Sequence, residues 1–566
     1  ALWISLIYVL AHGLMLLNRG IFWDDWVWYM MDTESLIDVF SQWGNVYVGY
    51  YYNFVLRSDN SIFAFRAIIF LSYLISALLL NDVMKSIREI DDTSRFILVV
   101  LFAVFPVNSA RTLISCSFYA VGYFMFFLGA WLTCRYMGRR TILLRLTTLS
   151  IFFLSFFVNS ILFFYVLVLL YILYRESRVE PRLLSLPKTS LKYADFFLLP
   201  LVFWTIRYLF FLPYGLYQGY NTIYMTNLYP ENLTRNLITS FYHSIVLVFL
   251  ASFQSLSAQV LSQIMMFIFF FFIVFLILRK RDINKGNDKH VFKTFAIGCS
   301  FFAVGIFPYL VVGKPPVPFS LDSRHELLVP LGASFVVYYG LRIVSKGASF
   351  VVYHGLRIVS RKPILFPPLL LRSLILSLMI ALFVTSNIVT YLDYQKDWYK
   401  QQSLIENLRS SDIIRNHTTF IFVDHSADLN IYGRGYRFYE YSSMMEYTFG
   451  DETRFGCDAA EFYLFNYFQR YSIWNFRDYE PHEPEYVVNI YKGDYAVDKN
   501  LLKLMFYELF APEKFKSAVR KIIAVGCDKL PSYSNSSSTS DRTRFIGEFP
   551  RDFQHSLSGS YWIDLT

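Results

Sequence analysis

Residues 1–17, ALWISLIYVLAHGLMLL, form an apolar run of membrane length, and shortly after them comes Phe22-Trp23-Asp24-Asp25-Trp26. A run of about 17 to 25 apolar residues reads as a transmembrane helix, so the chain meets a membrane at its first segment. Two adjacent carboxylates at a membrane surface, ringed by aromatics that limit their hydration, are costly to hold in place and mark a position for chemistry.

The rest of the composition extends this reading. The 566 residues are 55% hydrophobic, 20% aromatic and only 17% charged, which excludes an ordinary soluble domain. The net charge of +9 does not indicate nucleic acid, because the Lys and Arg residues fall mostly in short loops between apolar runs, where they set topology. With no initiator Met and an apolar run at residue 1, a short preceding N-terminal piece is expected.

Apolar segments lie at roughly 1–17, 61–80, 95–110, 113–134, 142–157, 160–174, 195–212, 236–255, 259–278, 294–313, 326–345 and 366–391. Four basic loops orient them. They carry Lys85, Arg88 and Arg95; Arg135, Arg139 and Arg140; Arg175, Arg178, Arg182, Lys188 and Lys192; and Arg279, Lys280, Arg281, Lys285 and Lys289. The positive-inside rule makes all four cytoplasmic. Alternation then puts the Asp24-Asp25 loop outside but fails at 236–255, a segment therefore expected to be re-entrant or interfacial. The expected fold is mainly α, a polytopic membrane bundle of about 11 spans over residues 1–394, N-terminus inside and C-terminus outside.

Residues 332–346, GASFVVYYGLRIVSK, recur as GASFVVYHGLRIVSR at 347–361. Solenoid units need several copies of at least about 20 residues, so a tandem duplication or an assembly error is the better explanation. The second copy is expected on the surface, with Arg357, Arg361 and Lys362 available to lipid headgroups and no catalytic role.

After residue 395 the apolar spans stop. Strand-like Thr418–Val423 and Tyr486–Tyr491 alternate with helical Gln395–Leu408 and Asn500–Phe510, so 395–566 reads as an extracytoplasmic α/β or α+β soluble domain. Its two cysteines, Cys457 and Cys527, leave a disulfide open in an oxidising exterior. Cys116, Cys134 and Cys299 lie in or at the ends of spans, where a small apolar side chain is the ordinary reading. Asn232-Leu-Thr, Asn416-His-Thr and Asn535-Ser-Ser match a glycosylation pattern that is common by chance.

A second polar cluster sits in the late external loop, Lys314-Pro-Pro-Val-Pro-Phe-Ser-Leu-Asp-Ser-Arg324-His325-Glu326, which enters the next span through Leu-Leu-Val-Pro330. Arg324 offers a planar fork suited to phosphate, and Lys314 a second cation. Snorkelling to lipid headgroups is the structural alternative for Arg324 and His325. Arg207, inside the apolar FWTIRYLFF, needs a carboxylate, a lipid phosphate or water. Arg66 and Arg111 sit where they could join the cluster; His12 and His243 read as hydrogen-bonded packing residues. Asp24 and Asp25 also have a structural alternative, capping the helix that starts near Asp32 or anchoring a loop against an Arg.

These features resemble the GT-C class of membrane glycosyltransferases, which includes protein O-mannosyltransferases, aminoarabinose transferases and oligosaccharyltransferases. Members carry an acidic motif in the first external loop and a late external loop with an Arg-centred motif entering a helix. Asp24-Asp25 is similar to the first motif and Ser323-Arg324-His325-Glu326-Leu-Leu-Val-Pro330 to the second, with His325 where a Tyr is often found. The resemblance covers about two thirds of the chain and leaves the C-terminal domain unassigned.

It implies an inverting glycosyltransferase of the cell envelope that takes sugar from a polyprenyl-phosphate donor to the hydroxyl of a glycan, lipid or protein acceptor. One aspartate, Asp24 ahead of Asp25, would be the general base, like-charge repulsion helping it to accept a proton; alternatively the two would hold a divalent cation such as Mg or Mn. Arg324, His325 and Lys314 or Arg207 would bind the departing phosphate. Two other classes fit the bare composition: a multi-span transporter of an envelope precursor, which would show related halves or broken helices, and a non-catalytic scaffold, in which Asp24 and Asp25 would be replaceable.

Overall fold

The computed structural model describes residues 1–179, 185–219, 225–257, 261–280, 291–359, 368–458, 461, 479 and 484–530. It divides into two compact units, Ala1–Trp398 and Tyr399–Thr566.

The first unit is helical. Among the described residues, Ser61–Met84, Ile114–Arg139, Asn159–Arg178, Pro230–Leu256, Val291–Val311 and Arg372–Ser410 are long and apolar enough to cross a membrane, and Leu2–Leu17, Ile142–Ser155, Gln263–Arg279 and Val329–Ser345 are shorter apolar helices. The chain is thus built as a membrane protein. Phe and Tyr rings fill the space between helices, and close approach occurs where side chains are small: a Cβ on Gly332 would lie 2.2 Å from the Phe302 backbone nitrogen. That contact holds Val291–Val311 directly against the helix starting at Val329, which fixes both ends of the loop bearing Arg324.

One segment differs from its sequence reading. Residues 95–110 do not form one span: the helix is Asp92–Val104, because Pro106 has no N–H to donate and Asn108 takes left-handed φ 55°. Pro230–Leu256, whose 236–255 core is expected from the sequence to be re-entrant or interfacial, is one helical stretch with the length and composition of a membrane span. It is wound as a π-helical turn over Tyr242–Leu247.

The described part of the repeat lies in one helix, Val329–Val359, and its first copy is well buried up to Tyr339. The surroundings expected for Arg357, Arg361 and Lys362 lie outside the described residues, as do Arg182, Arg281, Lys285, Lys289 and Asn535.

In the second unit a four-stranded mixed sheet runs in the order β2-β1-β3-β4: β1 is Thr419–Asp424, β2 Phe455–Asp458, β3 Tyr486–Lys492 and β4 Ile523–Lys529. β1 pairs parallel to both β2 and β3, and β4 pairs antiparallel to β3. Phe422 stacks on Tyr441 of the Phe438–Phe449 helix, centroids 4.2 Å apart. The sheet rules out the disulfide. Cys457 on β2 and Cys527 on β4 are free thiols on opposite edge strands, roughly 14 Å apart at three strand spacings where a disulfide needs about 6 Å between Cα atoms.

Candidate functional site

The first loop is set by a left-handed Trp23, φ 49°, after which Asp25–Met30 turns as a short helix. Asp25 is fully buried. Its Oδ2 accepts the Ile114 N–H at 2.8 Å and its Oδ1 the Ser115 N–H at 2.7 Å. These are the unsatisfied first amides of the turn and helix that follow, so Asp25 is a cap for a distant segment. Burial pushes its carboxyl up to about 6, against the pull of the two N–H donors and of Arg66 nearby. Asp24, by contrast, is half-buried. The helix starting at Thr33 is capped by Asp32 itself, which accepts from Glu34 and Ser35 N–H.

The Arg324 turn, Leu321–Glu326, starts after another left-handed residue, Ser320, φ 69°. Ser323 is its anchor: its Oγ accepts the Ala110 N–H at 2.8 Å and lies 3.0 Å from Ser109 Oγ. Residues 108–116 therefore join the two loops, held by Asp25 at one end and Ser323 at the other. Cys116 lies within electrostatic reach of Asp24, Asp25 and Arg324 together. Tyr394 braces the assembly, its ring 4.9 Å from Phe22 and its hydroxyl 3.3 Å from Ser109 O. Of five non-glycine residues with positive φ among those described, Trp23, Asn108 and Ser320 each open one of these three segments. Such backbone persists only where surroundings over-determine it, and it concentrates at functional sites.

Arg324 keeps a partly open side chain, 3.8 Å from Asp322. Lys314 is half-buried, and both cations lie within electrostatic reach of His325. His325 is buried against the Tyr309 ring at 5.2 Å. Burial, with Arg324 and Lys314 adding to it, keeps its imidazole well below the usual range, which favours the neutral form. Arg207 is not part of this arrangement. It belongs to Ala194–Phe210, whose end is tied to the 42–47 region through Tyr214 N–H to Gln42 O at 2.9 Å and the Phe211–Tyr47 ring contact. Its guanidinium finds no hydrogen-bond or ion-pair partner among the described residues.

Arg66 and Arg111 lie deeper. Arg66 is fully buried and donates to Gly20 O at 2.8 Å; Arg111 donates to Asn108 O and Val107 O. His12 bonds Tyr391 Oη at 2.7 Å and Ala103 O at 2.9 Å. His243 Nδ1 lies 3.4 Å from Pro316 O.

Each Asp25 oxygen already accepts a backbone N–H, and among the described residues no three His, Cys, Asp or Glu side chains converge as metal ligands. Sequence reading placed Ser323 in the Arg-centred motif without a role and missed Ser109 and the 114–115 amides, which have no chemical signature of their own, although Pro106 and Asn108 signalled a loop there. It likewise gave no role to Glu326, which is fully buried.

Comparison with known proteins finds no matching family model, no matching curated protein and no matching solved structure.

Proposed function

We propose that this chain is an inverting glycosyltransferase of the GT-C type, moving a sugar from a polyprenyl-phosphate donor to an acceptor hydroxyl on the outer face of the plasma membrane. The reading includes about 11 crossings and an extracytoplasmic C-terminal domain, as the basic loops argue. One observation carries it. The acidic loop and the Arg324 loop, about 300 residues apart in sequence, are clipped to the same segment 108–116 by Asp25 and Ser323.

The two aspartates divide the work. Asp25 has both oxygens committed to backbone amides and positions the loop; Asp24 is the general base. It takes the proton of the acceptor hydroxyl as that oxygen bonds to the anomeric carbon. The bond from that carbon to the phosphate oxygen breaks on the opposite face, and the electron pair leaves with the polyprenyl phosphate. Arg324 and Lys314 neutralise the charge developing there, where a partly dry site strengthens the effect. One displacement inverts the anomeric centre.

The test is the stereochemistry of the product. Membranes carrying the protein, given a mixed pool of labelled polyprenyl-phosphate sugars, should form a glycoside of inverted configuration. A retained configuration, or no labelled product from any donor, rejects the proposal.

A further inference from the structure

Glu326 closes the Arg324 turn and is enclosed completely. Its Oε1 accepts the Ser244 hydroxyl at 2.8 Å from the π-helical turn Tyr242–Leu247. Its Oε2 has no partner among the described residues, and neither has Nδ1 of the adjacent buried His325. Two neighbouring buried polar atoms left unmade are expensive, since each forfeits its hydration without compensation. The Tyr309 hydroxyl lies within electrostatic reach of both Glu326 and Arg324, so these atoms belong to the end of the bundle that carries the proposed phosphate site.

We infer that Glu326 is a further donor-binding residue, a neutral carboxylic acid whose Oε2 hydroxyl donates a hydrogen bond to a phosphate oxygen of the polyprenyl donor. The inference rests on the glycosyltransferase reading. An ionised carboxylate would repel that phosphate, whereas the neutral acid adds a directed donor to the charges of Arg324 and Lys314. Burial supports the neutral form, pushing the carboxyl up to about 8. Binding includes movement of the Tyr242–Leu247 turn, which covers Glu326 through Ser244; π-turns within α-helices recur at functional sites.

The experiment is equilibrium binding of a fluorescent polyprenyl monophosphate to the purified full-length protein between pH 7.5 and 9.5. Wild type should weaken at least tenfold across this range as the acid ionises. Glu326→Gln, which keeps a neutral donor, should bind within threefold of wild type at pH 7.5 and lose the slope. Glu326→Leu should bind at least tenfold more weakly throughout, and Ser244→Ala within threefold of wild type. Asp322, Arg324 and His325 of the turn, Tyr242 and His243 of the covering π-turn, and Lys314, Tyr309 and Cys116 are ionisable groups around Glu326, and all remain in Glu326→Gln, so a slope surviving there belongs to them and overturns the inference. It is also overturned if Glu326→Leu binds like wild type, if Glu326→Gln loses as much as Glu326→Leu, or if Ser244→Ala reproduces the leucine variant. Binding that depends on Arg324 but ignores Glu326 defeats this inference alone; no binding by wild type at any pH defeats the donor reading with it.

Discussion

Asp25 and Ser115, separated by 90 residues in sequence, are joined by a buried 2.7 Å hydrogen bond from the Ser115 amide to Asp25 Oδ1. With the parallel bond from Ile114, it makes one member of the acidic pair a structural clamp, and the proposed function gives the base role to the other.

Asp25→Ala should leave two buried amides without acceptors and Arg66 without its neighbouring charge, costing about 3 kcal/mol. Thermal unfolding in detergent should show that loss for Asp25→Ala and a clearly smaller one for Asp24→Asn. Equal destabilisation of both would remove the division of labour.

Ser323→Ala strips the Ala110 amide of its acceptor, a cost of about 1 to 3 kcal/mol. Because Arg324 is the next residue, displacement of its fork should also lower sugar transfer by about ten- to a hundredfold. Transfer rates normalised to folded protein would separate the two effects; an unchanged rate would mean the turn is held by other contacts.

How far the sequence could be read varied with the physics. Each apolar segment read from the sequence contains a helix among the described residues, because membrane burial writes itself as continuous hydrophobicity. The broken end of the 95–110 segment was encoded in Pro106 and Asn108, but an apolar window averages over such residues. Strands β1 and β3 were visible as β-branched and aromatic runs; their neighbours were not, since pairing across the sheet leaves no local mark. At the site, Asp24, Asp25 and Arg324 stood out because charge beside a membrane is rare. The amides that bind Asp25 could not, because every residue has one.

In the second unit, Lys400 is buried with its ammonium 2.5 Å from Asp424 Oδ2, 2.7 Å from Asn430 Oδ1 and 3.0 Å from Ser426 O. Lys400→Met should cost about 3 to 5 kcal/mol by stranding the Asp424 carboxylate, and Asp424→Asn added to it should recover part of the loss. Burial alone would raise the Asp424 carboxyl, but Lys400 and the Ser426 donors together hold it below its ordinary value. This contribution is therefore present above about pH 4 and lost as pH falls through the lower folded value. Denaturant titrations from pH 3 to 7 should show that acid loss in wild type and not in the double variant.

Cys457 and Cys527 should both be thiols in protein prepared without reductant. Maleimide labelling after denaturation should modify both, and a peptide pair linked through them would contradict the strand order.

The central claim is most directly tested by transfer of labelled sugar from polyprenyl-phosphate donors in membranes bearing wild type, Asp24→Asn or Arg324→Ala at matched levels of folded protein. The account predicts robust transfer by wild type and at least a hundredfold loss in each variant. Undiminished transfer by both variants would contradict it.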